Sequence, residues 1–169
     1  METQFVNTYL PSEAMFLEFS RALRSKWKNL LGIAAILLFA FNLVVSLIGG
    51  YTAYAVIAAI GIAASGLLLA TPLIRAKSLL SNAKDLGGGR LLPTTVRFDD
   101  AIHLQEGDFS MDFAYADIAD VRQSEHLHII LLSGHESLIV RKDSFTEGTD
   151  AAFIPFLQDE CRKVAPPEK

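Results

Sequence analysis

Residues 29–74 contain no Asp, Glu, Lys, Arg or His, and this charge-free block constrains the fold more than any other feature. About 20 apolar residues cross the hydrocarbon core of a bilayer, so 46 residues suffice for two crossings. Gly49 and Gly50 divide the block into residues 29–48 and 51–74. The block therefore predicts a two-helix transmembrane hairpin with a very short turn.

The residues outside this block are, by contrast, rich in charge. All 34 charged residues of the 169-residue chain lie outside the block, although 51% of the whole chain is hydrophobic. This partition excludes an ordinary soluble single domain, a disordered chain and a fibrous repeat. The single Cys excludes a disulfide framework within the chain.

The residues that flank the block predict its orientation. Basic residues stand on both sides of it and none lies in the turn: Arg21, Arg24, Lys26, Lys28, Arg75, Lys77, Lys84 and Arg90. Lys and Arg are retained in the cytoplasm, so we expect a multi-pass protein of the cell (inner) membrane with both termini cytoplasmic. A signal peptide is the alternative, but the apolar region is too long for one. Because orientation already accounts for the basic flanks, they do not by themselves indicate recognition of a specific lipid.

Small residues recur four positions apart within the predicted hairpin. Gly32, Asn42 and Ser46 share one face of the first span, and Gly61 and Ser65 form one of several small pairs in the second. Small residues allow close approach of helices in lipid, and Asn42 can hydrogen-bond across the contact. The pattern fits a hairpin that packs on itself or a homo-oligomer formed through the same faces. Neither span has an ionisable side chain for a proton or ion pathway.

An N-terminal arm, residues 1–28, precedes the hairpin. Residues 4–9 are rich in aromatic and β-branched side chains and predict a strand. Ser12 is a candidate N-cap for an amphipathic helix that reaches Lys28. Three arrangements of this helix remain open: it lies on the inner leaflet, it packs on the cytoplasmic domain, or it continues straight into the first span.

The rest of the chain predicts a small β-rich domain. Residues 75–91 are expected to form a juxtamembrane helix that ends in a Gly hinge, and residues 92–163 show period-two patterning. Six strands are expected, at residues 95–98, 102–105, 109–114, 118–123, 126–132 and 137–141. A helix over residues 149–163 follows, interrupted or started late by Pro155, and residues 164–169 form a loose tail. The expected fold is an α+β membrane protein: a transmembrane hairpin plus a small antiparallel β-barrel or sandwich capped by a C-terminal helix.

The order of these segments resembles the YcxB-like family. The stretches that carry the resemblance are residues 6–13, 95–102, 113–121, 128–132 and 137–145, with an aromatic-x-Asp-Ile-x-x-Val element at Tyr115, Asp117, Ile118 and Val121. The resemblance implies a two-helix membrane anchor and a C-terminal domain of pleckstrin-homology-like type, without known catalytic residues. The chain departs from the family pattern at Ala101, where glycine is usual, and at Arg141, where proline is usual.

Candidate chemistry is sparse. His126 and His128 lie on one face of a predicted strand, and with His103 or His135 they form a conceivable zinc site. Paired histidines are also common on exposed strand faces, so we predict no metal, cofactor or catalytic residue. Residues 87–90 lack the Lys-Ser/Thr of a P-loop, which leaves nucleotide binding without support. Cys161 has no evident activating partner.

Charge favours a protein as the partner of the C-terminal domain. Residues 92–169 contain 7 basic and 15 acidic residues, a net charge of −8. Such a domain is poorly suited to anionic headgroups or to nucleic acid. We expect a non-enzymatic integral membrane protein whose cytoplasmic domain mediates protein interaction or regulation, with a basic surface on the partner. The alternatives are a membrane-bound metal-dependent enzyme that uses His103, His126 and His128, and an accessory subunit of a transporter.

Overall fold

The computed structural model describes residues 5–134 and 136–164, which form an α+β protein with antiparallel sheets, as predicted. Its helices are α1 (Glu13–Ala22), α2 (Lys26–Ile48), α3 (Thr52–Leu86) and α4 (Asp150–Val164). Its strands are β1 (Phe5–Tyr9), β2 (Thr94–Phe98), β3 (Ile102–Glu106), β4 (Phe109–Phe113), β5 (Ile118–Gln123), β6 (Leu127–Leu132), β7 (Ser137–Arg141) and β8 (Phe145–Glu147).

The strands form two sheets. A five-stranded sheet has the order β4-β3-β2-β1-β8, and a three-stranded sheet has the order β5-β6-β7. Strand β1 therefore lies inside the larger sheet, between β2 and β8, although the whole helical hairpin separates β1 from β2 along the chain. The predicted N-terminal strand therefore pairs with strands that follow the hairpin, and it belongs to the same sheet as they do.

The sequence of β1 explains why it occupies an interior position. Phe5, Asn7 and Tyr9 are buried and alternate with Val6 and Thr8, which are more exposed. Phe5 pairs with Phe98 and Tyr9 with Thr94, in antiparallel register with β2. The period of two places every large side chain of β1 on the same face, and that face points into the domain.

Asn7 connects the two sheets through its side chain. Its amide nitrogen donates to the backbone oxygen of Arg141 at 2.7 Å, and its amide oxygen accepts from the backbone N–H of Arg141 at 3.0 Å. The side chain is completely buried, and it reproduces the donor–acceptor pair of a peptide group between β1 and β7. A buried amide with both hydrogen bonds satisfied fixes how the sheets meet.

The core lies between the sheets and α4. Phe98, Ile130 and Val140 come from the two sheets, and Phe153 and Leu157 come from α4; all five are fully or almost fully buried. The ring of Phe153 contacts the rings of Phe5, Phe98 and Phe145, with centroid distances of 4.9 to 5.6 Å. Helix α4 therefore packs as part of the core, in agreement with the predicted capping helix.

Helix α1 packs on the β-rich domain and on α3. Met15 and Phe19 are buried against Leu127 and Ile129 of β6, on the face of the smaller sheet that points away from the main core. The side chain of Ser12 caps the helix, as predicted, by accepting from the backbone N–H of Met15. The expectation of one helix up to Lys28 is wrong, because the chain leaves the helical conformation between Ala22 and Lys26.

Helices α2 and α3 are long, apolar and mostly exposed. Leu69 lies against Gly32, and the ring of Phe39 lies against Gly61, where any side chain would overlap it. Asn42 donates to the backbone oxygen of Leu38 in its own helix, and within the described residues its side chain makes no hydrogen bond to α3. Helix α3 continues through the predicted bilayer boundary to Leu86.

Two local predictions need correction in the C-terminal half. Helix α4 begins at Asp150 and continues through Pro155 without the predicted interruption, since a packed apolar face outweighs one missing N–H. Strand β8 was not predicted, because three residues are too few for a period-two pattern. It forms by pairing with β1, a partner that lies at the other end of the chain.

We predict that Asn7→Ala lowers the free energy of unfolding by about 2–3 kcal/mol, because it leaves the backbone N–H and C=O of Arg141 without partners. Thr8→Ala, at an exposed position of the same strand, should change it by less than about 0.5 kcal/mol. Thermal unfolding of the full chain in detergent measures both variants. Equal effects of the two substitutions would show that Asn7 does not connect the sheets.

Candidate functional site

An open groove lies between the edge strand β5 and helix α4. Among the described residues strand β5 pairs only with β6, so its other edge carries backbone groups with no strand partner there. The groove has a volume of about 280 Å³; Val121 and Gln123 line it from β5, and Ile154, Gln158 and Cys161 line it from α4. An apolar floor beside an unpaired strand edge can accept an extended peptide segment.

The aromatic-x-Asp-Ile-x-x-Val element builds one side of this groove. Tyr115 is buried, donates to the backbone oxygen of Asp99 at 3.1 Å and packs edge-on against Phe156 of α4. The carboxylate of Asp117 accepts from the backbone N–H of Ala114 and closes the short helical turn that leads into β5. The element therefore positions β5 against α4, and Val121 at its end faces the groove.

Cys161 lines the groove but is not an activated nucleophile. Burial, and then the neighbouring Glu160, raise the pKa of its thiol above the ordinary value. The thiolate is the nucleophilic form, so a raised pKa keeps this residue unreactive at neutral pH. Cys161 therefore enters the description of the groove as one of the side chains that line it.

The charged side chains beside the groove form pairs within the domain. Arg162 lines the groove and lies 3.9 Å from Asp159, and Arg122 of β5 pairs with Asp120 at 3.0 Å. The groove itself is therefore close to neutral. A preference for a ligand with basic groups rests on the net charge of −8 over residues 92–169 as a whole.

His103 is held between two carboxylates on the larger sheet. Its Nδ1 lies 2.6 Å from Oδ1 of Asp112, and its Nε2 lies 2.9 Å from Oδ1 of Asp99. The hydrogen bond to Asp112 is the main cause of a raised His103 pKa, to which the charges of Asp99 and Asp112 add. The protonated ring then donates to both carboxylates and ties β3 to β4 and to the β2–β3 turn.

His126 and His128 each contact a different helix. Glu18 of α1 accepts from the backbone N–H of His126 at 2.8 Å and lies 3.2 Å from its Nδ1. The ring of His128 is buried, and its Nε2 lies 2.5 Å from the carboxylate of Asp150 at the start of α4. His126 lies just before β6, outside the strand predicted to contain it, and attaches α1 to that turn, whereas His128 attaches α4 to β6 itself.

The zinc hypothesis gains no support from these positions. In the described part of the chain, the one group of three potential metal ligands within 4.8 Å of one another is Asp99, Asp100 and His103, without His126 or His128. Both ring nitrogens of His103 already face carboxylates, so a cation would have to displace a hydrogen bond. His135 lies outside the described residues.

Sequence reasoning missed the groove itself. The elements that form it were predicted separately, but no pattern in the sequence shows which strand becomes an edge or where a helix packs beside it. Comparison with protein-family models, with curated proteins and with solved structures gave no match to this chain.

We predict that His103→Gln destabilises the protein more at pH 6 than at pH 9. Because the pKa of His103 is raised in the folded state, its contribution is complete below the unfolded pKa of about 6.5 and disappears as the pH rises through the folded pKa. The expected loss at pH 6 is about 0.5–1 kcal/mol, since the pair is partly exposed. Unfolding curves at both pH values measure it.

Gln105→Ala on the same strand serves as the control, because it removes no titrating group and should have the same effect at both pH values. If His103→Gln also had the same effect at both pH values, the protonated ring of His103 would not stabilise the fold through Asp99 and Asp112.

Proposed function

We propose that this protein is a non-enzymatic integral membrane protein of the cell (inner) membrane, whose cytoplasmic domain binds a protein partner through the β5–α4 groove. The observation that carries the proposal is an open groove beside an unpaired strand edge, on a domain attached to two exposed apolar helices. The function is tethering: the anchor restricts the groove, and whatever binds it, to the plane of the membrane.

The exposure of α2 and α3 supports membrane anchoring. Only 11% of the most apolar stretch of each helix is buried within the protein. Leu37, Phe41 and Ile60 are each more than 60% exposed. The core helix of a soluble protein buries such side chains, whereas a helix in a bilayer presents them to lipid.

The position of β1 argues against a cleaved signal sequence. Cleavage after α2 would remove β1 from the interior of the larger sheet and Phe5 and Asn7 from the core. It would also leave β2 and β8 without their shared neighbour. A segment that completes the fold is expected to stay attached.

The same pairing supports two crossings. Strands β1 and β2 flank the helical hairpin in sequence and are neighbours in one sheet. Both flanks must therefore lie on one side of a membrane, which requires an even number of spans. The basic residues beside the spans favour the cytoplasm as that side.

An extended, basic segment of a partner fits the groove. Such a segment adds a strand to β5 through main-chain hydrogen bonds and inserts an apolar side chain between Val121 and Ile154. The resemblance to the YcxB-like family supports the same division into an anchor and a pleckstrin-homology-like domain. In this proposal the histidines and carboxylates are structural.

We predict that labelling of single cysteines, placed in a Cys161→Ser background, will show that the chain crosses the membrane twice. Thr8→Cys and Ser110→Cys should react with a membrane-impermeant maleimide only from the cytoplasmic side, because β1 and β4 belong to one sheet. Tyr51→Cys, at the turn between the spans, should react only from the opposite side. Labelling of Tyr51→Cys from the same side as Thr8→Cys would overturn the spanning arrangement.

We predict that photo-crosslinking side chains at Gln123 and Gln158 capture a discrete partner in native membranes, because both positions line the groove. The matched control is Ser110 on β4, an exposed position on the edge strand of the other sheet. Val121→Arg should abolish the groove adducts, since it places a positive charge where a basic segment binds. Adducts that also form at Ser110, or that persist with Val121→Arg, would contradict the groove as the binding site.

A further inference from the structure

A second cleft lies where α1, the start of α2 and the middle of α3 meet. It has a volume of about 150 Å³, and its lining includes Ser20, Arg24, Lys28, Pro72 and Arg75. Lys28 and Arg75 stand directly before and directly after the charge-free block. If the block spans the membrane, the cleft lies at the depth of the lipid phosphates.

Arg24 is held in the wall of the cleft by the backbone of α3. Its Nη2 donates to the oxygen of Leu68 and its Nη1 to the oxygen of Leu69, both at 3.0 Å. Pro72 has no N–H, so the oxygen of Leu68 lacks its usual backbone donor and accepts instead from the hydroxyl of Thr71 and from Arg24. The two hydrogen bonds to α3 hold the guanidinium of Arg24 in position, and its charge faces carbonyl groups rather than a carboxylate.

The positive charge of the cleft has no counter-charge in the protein. Over residues 5–134 and 136–164, no carboxylate lies within 4.0 Å of the charged nitrogens of Arg24, Lys28 or Arg75. Four of the fourteen Lys and Arg side chains in the same ranges do pair with a carboxylate: Arg122, Arg141, Arg162 and Lys163. Three cations around one small cleft create a field that attracts an anion.

The hydroxyl of Ser20 is an independent sign of a ligand. Ser20 is only 6% exposed, lines the cleft, and its Oγ has no hydrogen-bond partner among the described residues. A buried hydroxyl without a partner destabilises the folded protein, so such groups are normally satisfied by an acceptor. A phosphate oxygen in the cleft would provide that acceptor.

We propose that this cleft binds the phosphate of an anionic phospholipid, with Lys28 and Arg75 as charge partners, Ser20 as hydroxyl donor and Arg24 as a fixed wall of positive charge. The inference rests on the proposed membrane anchor and extends it. The net charge of the C-terminal domain is no obstacle, because the cleft belongs to the basic segment beside the membrane. Bound lipid would bridge α1 and α3 and stabilise the β-rich domain against the membrane surface.

The test uses the full chain, purified in a neutral detergent and titrated with phosphatidylglycerol, with native mass spectrometry to count retained lipids. Lys28→Gln/Arg75→Gln should weaken retention by at least roughly tenfold, because two charge-assisted contacts are lost. Ser20→Ala should weaken it by about threefold and Arg75→Lys by less. Lys26→Gln/Lys77→Gln removes the same charge from the same flanks, outside the cleft lining, and should retain lipid normally.

Three results would overturn the assignment. Equal losses in the cleft and control double variants would indicate general attraction of lipid to the basic flanks. Retention of phosphatidylcholine, whose phosphate is neutralised by its own choline group, as strong as that of phosphatidylglycerol would exclude a site for anionic phospholipid. Displacement of the lipid by inorganic phosphate at an equal concentration would assign the cleft to a free anion.

Folding and topology are checked separately. The thermal unfolding midpoint of each variant shows whether it is folded. If Lys28→Gln/Arg75→Gln does not fold, the smaller change Ser20→Ala still decides the test. Labelling of Tyr51→Cys tests the spanning arrangement without reference to the cleft. Normal labelling with no lipid retention would overturn the cleft alone, whereas same-side labelling would overturn the membrane anchor.

Discussion

The insertion of β1 between β2 and β8 is the constraint on which the rest of the structure depends. It brings the chain before the helical hairpin into the same sheet as the chain after it. The buried amide of Asn7 then connects that sheet to β7 of the smaller sheet. The hairpin therefore leaves and re-enters a single folded domain, and both of its ends are fixed to that domain.

Helix α1 packs between two elements, β6 and α3, that belong to this one folded unit. It packs on β6 through Met15 and Phe19, and Glu18 reaches the backbone of His126. It also packs on α3, where Arg24, just beyond its end, binds the carbonyl groups beside Pro72. The apolar helices are thus joined to the β-rich domain by packing and specific hydrogen bonds, in addition to the two covalent connections of the chain.

The two proposed binding sites lie in parts of the chain with opposite net charge. The cleft beside the apolar helices gathers basic side chains without carboxylate partners, and the groove between β5 and α4 belongs to a domain with a net charge of −8. A phospholipid phosphate and a basic protein segment are complementary to these two surfaces. Neither site requires a reactive side chain: burial raises the pKa of Cys161, and the histidines pair with carboxylates on different elements.

The elements that depend on local pattern could be predicted from the sequence. A long charge-free block predicted two apolar helices, a run of aromatic and β-branched residues predicted β1, and period-two patterning predicted β2 to β7. Which segments meet could be read only from the packed fold. Asn7, Ser20 and Arg24 are unremarkable as residue types, and their roles arise from Arg141, Leu68 and Pro72, which lie far away along the chain. Contacts between distant residues follow from how whole faces pack, and no local window of sequence contains that information.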